Sequence, residues 1–583
     1  MVKTLASQIR QYRAASLATP LCMILEVLME TIIPFLMASI IDDGVDKGDL
    51  GHIYRVGFAM LVIALVGLLG GLGGGHFGAK ASAGFAKNLR AAMFENIQTF
   101  SFANIDKFST AGLVTRLTTD VTNLQNAYQM ILRMCIRAPI SMICAMAMSY
   151  VICPRLANVY LVAVILLGAL LTLLMMRTHH HFSQVFEKYD ELNASVQENV
   201  AGIRVVKAFV REDYERERFT AASRGVYGMF VRAEKLIALN APLMQFTVYS
   251  CILLISWLGA RMVVLEGLST GDLMSMLTYC MNILMHLMML SMVFVMITMA
   301  SASGRRVAEV MNEKSTLTNP ADPDYDVCDG SIRFEGVCFD YHGDTENPVL
   351  RDINLDIRAG ETIGIIGGTG SSKSSLVNLI SRLYDVTLGA VFVGGKDVRT
   401  YDLDTLRGTV AVVLQKNVLF SGTILENLRW GDEHATREQC VEACRLACAD
   451  EFIERFPDGY DTFLSQGGAN LSGGQKQRLC IARALLKRPK ILILDDSTSA
   501  VDTATDAGIR RALAEKIPDT TKLIIAQRIA SVQGADRILV MEDGRVAGFG
   551  THEALLAENE IYRDIYESQT QGGGDFDEKA GEA

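Results

Sequence analysis

The sequence predicts an α-helical transmembrane bundle of six spans, with long cytoplasmic extensions, fused to a soluble α/β domain. Half of the 583 residues are hydrophobic. Long stretches before residue 300 are almost free of charge, whereas short apolar runs alternate with polar turns after residue 330. The formal net charge of −10 gives no electrostatic reason to expect a nucleic acid as partner.

Six apolar segments approach the roughly 20 residues that a helix needs to cross a bilayer. They are residues 17–41, 56–75, 131–153, 156–176, 237–260 and 273–299. The opening MVKTLASQIRQYR is basic and amphipathic, which predicts a cytoplasmic helix on the membrane surface. The short connections 42–50 and 153–155 are then external, and the Lys- and Arg-rich connections 77–130 and 177–236 are internal.

Both internal connections carry apolar residues at helical spacing, so we expect them to extend the membrane helices into the cytoplasm. Each extension should turn at a short helix, and the predicted turning points are residues 111–120 and 210–219. Rigid helices of this length can transmit motion to the membrane from a cytoplasmic domain. The candidate coupling residues are Thr115, Arg116, Asp213 and Tyr214.

The first and sixth spans hold unusual side chains for membrane helices. Glu26 and Glu30 lie one turn apart on one face, where they could bind cationic cargo or hydrogen-bond neighbouring helices. The sixth span is dense in methionine, which suits irregular packing and surfaces that accept many ligands better than a copper or haem site. Its cargo candidates are Met285, His286, Met289 and Met292.

Two other clusters also invite a metal interpretation, which we do not favour. Cys440, Cys444 and Cys448 recur at helical spacing without a CxxC pair or a histidine, which indicates the packed face of a helix. The run His179–His181 is interpreted as a solvated helix end.

A polar linker with prolines and aspartates, residues 312–330, divides the chain. We expect a membrane domain over residues 1–311, an α/β domain over 331–570 and a polar tail over 571–583. Strand, glycine-rich loop and helix follow one another in the α/β part, which is the order of a P-loop nucleotide-binding domain.

The loop GGTGSSKSS matches the phosphate-binding pattern GxxxxGK[ST] at every position but one. Lys373 is the expected phosphate-binding lysine, Ser374 can ligate Mg²⁺, and backbone N–H groups cradle the phosphates. Ser372 stands in the place of the second glycine, and we expect no need for a positive φ there because the position lies just inside a helix. The predicted loop residues are Gly367, Gly368, Thr369, Gly370, Ser371, Ser372, Lys373, Ser374 and Ser375.

Two more motifs accompany this loop. The apolar run ILILDD predicts a buried strand that ends at Asp495, the carboxylate expected at the Mg²⁺ ion, with Asp496 directly after it. The sequence LSGGQKQR can bind a phosphate at the N-terminus of a helix. Its candidate residues are Leu471, Ser472, Gly473, Gly474 and Gln475.

In combination, these motifs resemble those of the ATP-binding cassette family, and the resemblance covers essentially the whole chain. The six spans, their extensions and the stretch ENVAGIRVVKAFVRED resemble its exporter branch. The resemblance implies a half-transporter whose two motor domains close head to tail around two ATP molecules. Each site then combines the phosphate loop of one chain with the LSGGQ of the other.

The resemblance also implies roles for single residues. Tyr341 matches the aromatic residue that stacks on adenine, Gln415 the glutamine that reaches Mg²⁺, and Asp502 the aspartate at the dimer seam. Two positions depart from the family pattern, because Asp496 replaces the glutamate that activates water and Gln527 replaces the switch histidine.

With Ser372, three deviations fall in one site, a set that resembles one subunit of the heterodimeric bacterial multidrug exporters. The leading hypothesis is a cell-membrane exporter of amphipathic drugs or lipids that uses ATP and Mg²⁺. Its partner chain would supply the intact glutamate and histidine. The alternatives are a homodimeric flippase with slow ATPase activity, an ATP-gated channel or sensor, and an exporter-like uptake system for a metal chelate.

Overall fold

The computed structural model describes the backbone of residues 1–341, 343–344 and 346–571. Side chains within these ranges are described except at residues 175, 178–187, 190, 194, 233, 237, 295, 299 and 571. The side chains of His179–His181 and the tail beyond residue 571 therefore lie outside the described residues. The chain forms two compact units, one of Met1–Gln98 with Thr110–Glu313, the other of Thr99–Ser109 with the chain from Lys314 onward.

The N-terminal half of the chain consists of helices. They are α1 (Val2–Ser7), α2 (Arg13–Ser39), α3 (Leu50–Gln98), α4 (Phe102–Phe108), α5 (Thr110–Thr115), α6 (Val121–Ile152), α7 (Pro154–Ala201), α8 (Ile203–Ala208), α9 (Glu212–Ala238), α10 (Asn240–Leu265) and α11 (Thr270–Asn312). Among the described residues, six helical stretches are long and apolar enough to cross a membrane, which confirms the predicted six-span bundle. These stretches are Arg10–Val45, Leu50–Gln98, Thr110–Ile152, Pro154–Leu174, Glu212–Leu265 and Thr270–Asn312.

The helices α2 and α3 approach closely because α3 places glycines against α2. A Cβ atom at Gly70 would lie 3.1 Å from the carbonyl oxygen of Cys22 and 3.2 Å from the backbone nitrogen of Glu26. A Cβ atom at Gly74 would lie 2.2 Å from the terminal methyl carbon of Met23. Small residues four apart let helix backbones pack tightly in a bilayer, where no hydrophobic force drives helix association.

The first turn between membrane helices lies earlier than the sequence predicted. The short helix α4 makes this turn, whereas residues 111–120 belong to the helical stretch that leads into α6. The missed signal is a capping box, in which the Ser101 hydroxyl accepts from the Asn104 N–H and the Asn104 side chain accepts from the Ser101 N–H.

The predicted coupling residues Thr115 and Arg116 consequently lie outside that turn. Arg116 pairs with Glu309 of α11 at 2.9 Å. One turn further on, the buried carboxylate of Asp120 accepts a 2.7 Å hydrogen bond from Nε of Arg306, also on α11. These contacts hold the extension of α6 against α11.

The second turn also lies earlier than predicted. Helix α7 ends at the cap residue Gly202, and α8 forms the short turning helix. Residues 210–219 cover the end of this turn and the beginning of α9, so Asp213 and Tyr214 lie in the first turn of the returning helix. Glycine commonly ends a helix, but the apolar spacing continues past Gly202 and hides this signal.

The described residues of the C-terminal unit form three sheets. Their strands are β1 (Ile332–Phe339), β2 (Leu350–Ile357), β3 (Thr362–Gly367), β4 (Leu388–Val393), β5 (Lys396–Asp397), β6 (Val410–Val413), β7 (Gly422–Thr423), β8 (Phe463–Leu464), β9 (Ile491–Asp495), β10 (Thr521–Ile525), β11 (Arg537–Glu542) and β12 (Arg545–Gly550). The central sheet has the order β12-β11-β3-β10-β9-β6, the second is β2-β1-β4-β5, and β7 pairs with β8.

Helices cover the central sheet and shield its parallel strands. They are α12 (Lys373–Ile380), α13 (Leu403–Thr409), α14 (Ile424–Leu428), α15 (Arg437–Leu446), α16 (Asp450–Ile453), α17 (Gly473–Leu486), α18 (Thr503–Lys516), α19 (His552–Glu558) and α20 (Glu560–Gln571). Every residue of β9 and β10 is buried, as expected for strands with both faces covered. The predicted fold class, a six-span helical bundle fused to an α/β nucleotide-binding domain, is thus confirmed.

The close packing of Gly70 and Gly74 against α2 predicts that Gly70→Val destabilises the membrane unit. The new side chain would meet backbone atoms of α2 that cannot move aside, and overpacking of this kind costs about 1–3 kcal/mol. A lower unfolding temperature of the purified protein in detergent is expected. Gly57→Val on the same helix is the control, because a Cβ atom there meets nothing within 4 Å. Equal stability of the two variants would contradict the role of Gly70 in the packing of α3 against α2.

Candidate functional site

Three neighbouring parallel strands of the central sheet place the phosphate-site residues together at the carboxyl ends of these strands. Strand β10 pairs with β3 on one side and with β9 on the other, and Ile525 is the partner of Asp495. The loop after β3, the carboxylates at the end of β9 and Gln527 after β10 therefore meet. Open parallel sheets bind ligands beyond the carboxyl ends of their strands.

The phosphate loop is held closely over the sheet by a glycine and by its own lysine. A Cβ atom at Gly367 would lie 2.2 Å from the carbonyl oxygen of Met541, so only glycine fits there without a shift. The Lys373 ammonium donates to the carbonyl oxygens of Gly367 and Gly368, at 2.9 and 2.8 Å, and to the Ser371 hydroxyl. The ammonium therefore lies within the loop, where a phosphate would also be bound.

Ser372 is in the left-handed conformation, with φ of +69° and ψ of +24°. The expectation that this position needs no positive φ was wrong, because α12 begins only at Lys373 and Ser372 is its N-cap. A residue with a Cβ atom is less stable in the left-handed conformation than glycine is, by about 1–2 kcal/mol. The loop thus keeps the phosphate-binding shape with a strained serine.

The buried carboxylate Asp495 and the loop residues fit an ATP phosphate group with Mg²⁺. Burial raises the pKa of the Asp495 carboxyl, and a hydrogen bond with Ser374 opposes that rise. Burial lowers the pKa of Lys373. A Cβ atom at Gly368 or Gly370 would meet nothing within 4 Å, so the loop is open on that side. Hydroxyl and carboxylate oxygens are the ligands that Mg²⁺ prefers.

The two residues that depart from the family pattern contact each other. Nε2 of Gln527 donates to a carboxylate oxygen of Asp496 at 2.9 Å. The C-terminal helix α20 holds the same segment, because Gln569 donates to the Gln527 carbonyl oxygen at 2.9 Å and accepts from the Ile529 N–H at 2.8 Å. Gln569 belongs to no motif, and sequence reasoning missed it.

Tyr341 lies beside the phosphate loop, and its hydroxyl hydrogen-bonds that of Ser375 at 2.8 Å. Its ring packs edge-on against Tyr384, with centroids 5.1 Å apart. Tyr384 in turn donates to the Asp106 carboxylate of α4 at 2.7 Å. Gln415 is exposed in the loop after β6. An aromatic contact thus connects the candidate adenine residue to the first turning helix.

The signature residues begin helix α17. Ser472 is the N-cap, its hydroxyl accepts from the Gln475 N–H, and the Gln475 side chain accepts from the Ser472 N–H. No hydrogen bond among the described residues joins Leu471–Gln475 to the phosphate loop of the same chain. The free end of a helix with its N–H groups is suited to bind an anion.

The segment after Asp496 is tied to this signature helix. Gln477 donates to the Ser499 hydroxyl at 3.3 Å and accepts from the Ala500 N–H at 3.1 Å. A Cβ atom at Gly474 would lie 2.7 Å from the Ala500 carbonyl oxygen. Asp502 caps α18 by accepting from the Thr505 N–H, so within one chain it has a structural role. Gln477 was not predicted, although it lies in the quoted motif.

The membrane candidates fall into two groups. Arg137 of α6 donates to one carboxylate oxygen of Glu26 at 2.8 Å and to one of Glu30 at 2.9 Å, so both carboxylates join α2 to α6. On α11, Met285 and Met292 are exposed and Met289 is half-buried.

His286 lies on the packed side of α11, although the sequence placed it among the cargo candidates. It is buried, and its Nδ1 lies 3.3 Å from the Ser141 hydroxyl and 2.8 Å from the Asn282 carbonyl oxygen. The reason is the helical period, which turns residue 286 away from the face that carries Met285 and Met292. In this chain His286 connects α11 to α6.

Comparisons with known proteins extend over the whole chain. Family models described as ABC transporter transmembrane region and ABC transporter match residues 17–288 and 350–499. An ABC transporter ATP-binding protein of Mycobacterium bovis is 36% identical over 575 residues, which are 98% of either chain. The fatty acid ABC transporter ATP-binding/permease protein of the same organism is 34% identical over 450 residues, 77% of this chain and 71% of that protein.

A solved structure shares the fold. The bacterial Atm1-family ABC exporter with ATP bound matches with a TM-score of 0.79 at 24% sequence identity. The match covers 97% of this chain and 99% of the exporter chain, so both units have their counterparts in one known architecture.

The strain at residue 372 predicts that Ser372→Gly stabilises the C-terminal unit by about 1 kcal/mol. A higher unfolding temperature is expected, measured by calorimetry or by loss of helical signal on heating. Ser372→Ala is the control, because alanine keeps the Cβ atom and therefore the strain. An equal gain in both variants would mean that the hydroxyl, and not the backbone conformation, destabilises the loop.

Proposed function

Because the chain belongs to the ABC transporter family, in which ATP hydrolysis is coupled to transport, we propose that it is one subunit of a heterodimeric exporter. Its cargo would be amphipathic drugs or lipids, moved out of the cytoplasm or the inner leaflet. Its own phosphate loop would form a degenerate ATP site, and its signature turn would complete the catalytic site of a partner chain. The hydrogen bond between Gln527 and Asp496 carries this proposal.

That bond occupies one oxygen of the carboxylate that would act as the base for hydrolysis. A general base must come within about 2.6–3.2 Å of the proton that it accepts. Aspartate is one methylene shorter than glutamate, and the resulting retraction by roughly 1.5 Å can cost on the order of 10²-fold in rate. The amide of Gln527 already engages one oxygen of Asp496, and glutamine cannot replace an imidazole in organising the γ-phosphate and the carboxylate.

Nucleotide binding itself is supported by the intact parts of the same site. Lys373 lies where it can meet phosphate oxygens, while Ser374 and Asp495 offer ligands for Mg²⁺. Bound Mg²⁺ would neutralise charge on the β- and γ-phosphates. In this proposal Tyr341 would stack on the base, and Gln415 would approach the metal. In this proposal the chain therefore holds ATP for long periods and hydrolyses it slowly.

Within the described part of its own chain, the signature turn caps α17 and makes no hydrogen bond to the phosphate loop. Ser472 and the N–H groups of Gly473 and Gly474 would instead meet the γ-phosphate held by the partner, where charge develops during transfer. The partner would supply the complete loop, the glutamate and the histidine that this chain lacks. Asp502 would lie at the seam between the two motor domains.

The membrane unit supports an amphipathic cargo. Met281, Met285, Met288 and Met292 are all exposed and recur at helical spacing along one face of α11. Flexible, polarizable thioethers suit a surface that accepts many apolar ligands. The Mycobacterium bovis relative that is named for fatty acids also supports cargo of this kind.

The turning helices would connect this membrane unit to the motor domains in the cytoplasm. Around α8 the apolar side chains of Val205, Phe209, Val210 and Tyr214 are exposed, from 59% to 81% of their surface. Such residues in a charged segment are expected to dock into a groove, which we assign to the partner's motor domain. The basic internal segments support a cytoplasmic position for both termini at a bacterial cell membrane.

We predict that Ser472→Asp in the two-chain complex reduces steady-state ATP hydrolysis by at least about a hundredfold. Aspartate caps a helix as well as serine does, so α17 should remain stable. Its negative charge would repel the γ-phosphate of the partner's ATP. Ser472→Asn is the matched control, because it caps without the charge and should retain more activity. Full activity of the aspartate variant would contradict the shared site.

Asp496→Asn is expected to lower the turnover of the same complex by less than about tenfold, since this carboxylate belongs to the slow site. The substitution preserves the shape of the side chain and its ability to accept from Gln527. The isolated chain, measured alongside, should hydrolyse ATP slowly. A decrease as deep as that of Ser472→Asp would show two equally active sites, and rapid hydrolysis by the isolated chain would favour a homodimer.

A further inference from the structure

A groove-like cavity of about 720 Å³ lies between α2, α3 and α6 within the membrane unit. Its floor is lined by Gly67, Gly71 and Gly75 of α3, and charged side chains of α2 and α6 enter it. The glycines make room for these charges. A Cβ atom at Gly71 would lie 3.3 Å from the Glu26 carboxylate, and one at Gly78 would lie 3.3 Å from Cδ of Arg133.

The charges in this cavity are incompletely matched. Arg137 satisfies one oxygen of Glu26 and one of Glu30, but the second oxygen of Glu26 is buried without a hydrogen-bond partner. Arg133 lies one turn earlier on α6, and its Nε is likewise buried without a partner. In the part of the chain that the structure describes, Arg133 takes part in no ion pair.

An unmatched guanidinium and an unmatched carboxylate oxygen are costly at membrane depth. A ligand that supplies both an anionic oxygen and an N–H donor would satisfy them together. A simple cation would be repelled by the Arg133 guanidinium. A simple anion would leave the Glu26 oxygen without a hydrogen-bond donor. The adjoining wall of apolar side chains, including Ile63 and Leu72 of α3, suits an acyl chain.

We propose that this cavity binds an amphiphile whose headgroup joins a phosphate to a primary ammonium, with the phosphate at Arg133 and the ammonium at Glu26. The inference rests on the amphipathic cargo of the proposed function and names its headgroup. A hydrogen bond to a charged group contributes about 1.5–3 kcal/mol. Loss of either contact should therefore weaken binding by at least about tenfold.

The test uses native mass spectrometry of the purified full-length protein, or of the two-chain complex, without nucleotide. The probes are oleoyl lysophosphatidylethanolamine and oleoyl lysophosphatidylcholine, which share chain and phosphate but differ in the N–H donors. The ethanolamine lipid is expected to bind at least about tenfold more tightly. Arg133→Gln should weaken its binding by a similar factor, and Arg133→Lys should restore part of it.

Arg155→Gln is the matched control, because Arg155 pairs with Glu266 outside the cavity and is exposed. Its lipid binding should equal that of the unaltered protein. Equal affinity for the two lipids, or unchanged binding by Arg133→Gln, would overturn the proposal. If Arg133→Gln dissociates the two-chain complex in the absence of lipid, Arg133 pairs with a carboxylate of the partner chain. That result would also overturn the proposal. Since no ATP is present, these outcomes are independent of which site hydrolyses ATP.

Discussion

Parallel pairing of β3, β10 and β9 is the constraint on which the nucleotide site depends. The pairing sets Ile525 opposite both Ile365 and Asp495. Because side chains alternate across a strand, a slip of one residue would turn the carboxylate away from the loop. The N–H of Asp496 also donates to the Ile525 carbonyl oxygen, which fixes the path of the chain beyond the strand. The contact between Asp496 and Gln527 is a direct consequence of this register.

Sequence motifs predicted the loop, the carboxylates and the signature turn, because their residue types stand at spacings that are typical of phosphate binding. Backbone conformation was not accessible in the same way. The pattern of the loop does not show at which residue α12 begins, and the left-handed serine depends on that single position. Gln569 lies 42 residues from Gln527, and nothing in its local sequence marks the contact.

The order of membrane helices and sheet was predictable because apolar length and strand alternation are strong signals. The pairing of helices was not. The glycine run of α3 was interpreted only as part of a span, although it determines how closely α2 approaches. Both turning helices were placed too late, since a serine cap and a single glycine interrupt a helical period without changing its apolar spacing.

The ion pairs of Arg137 have a consequence for how the chain enters the membrane. Synthesis proceeds from the N-terminus, and Arg137 follows Glu26 by 111 residues and Glu30 by 107. At about 5–20 residues per second, α2 waits roughly 5–20 s for the guanidinium that neutralises it. During that interval its carboxylates must remain in contact with water or with the insertion machinery. Biogenesis of this protein therefore favours release of α2 into lipid only after α6 has been synthesised.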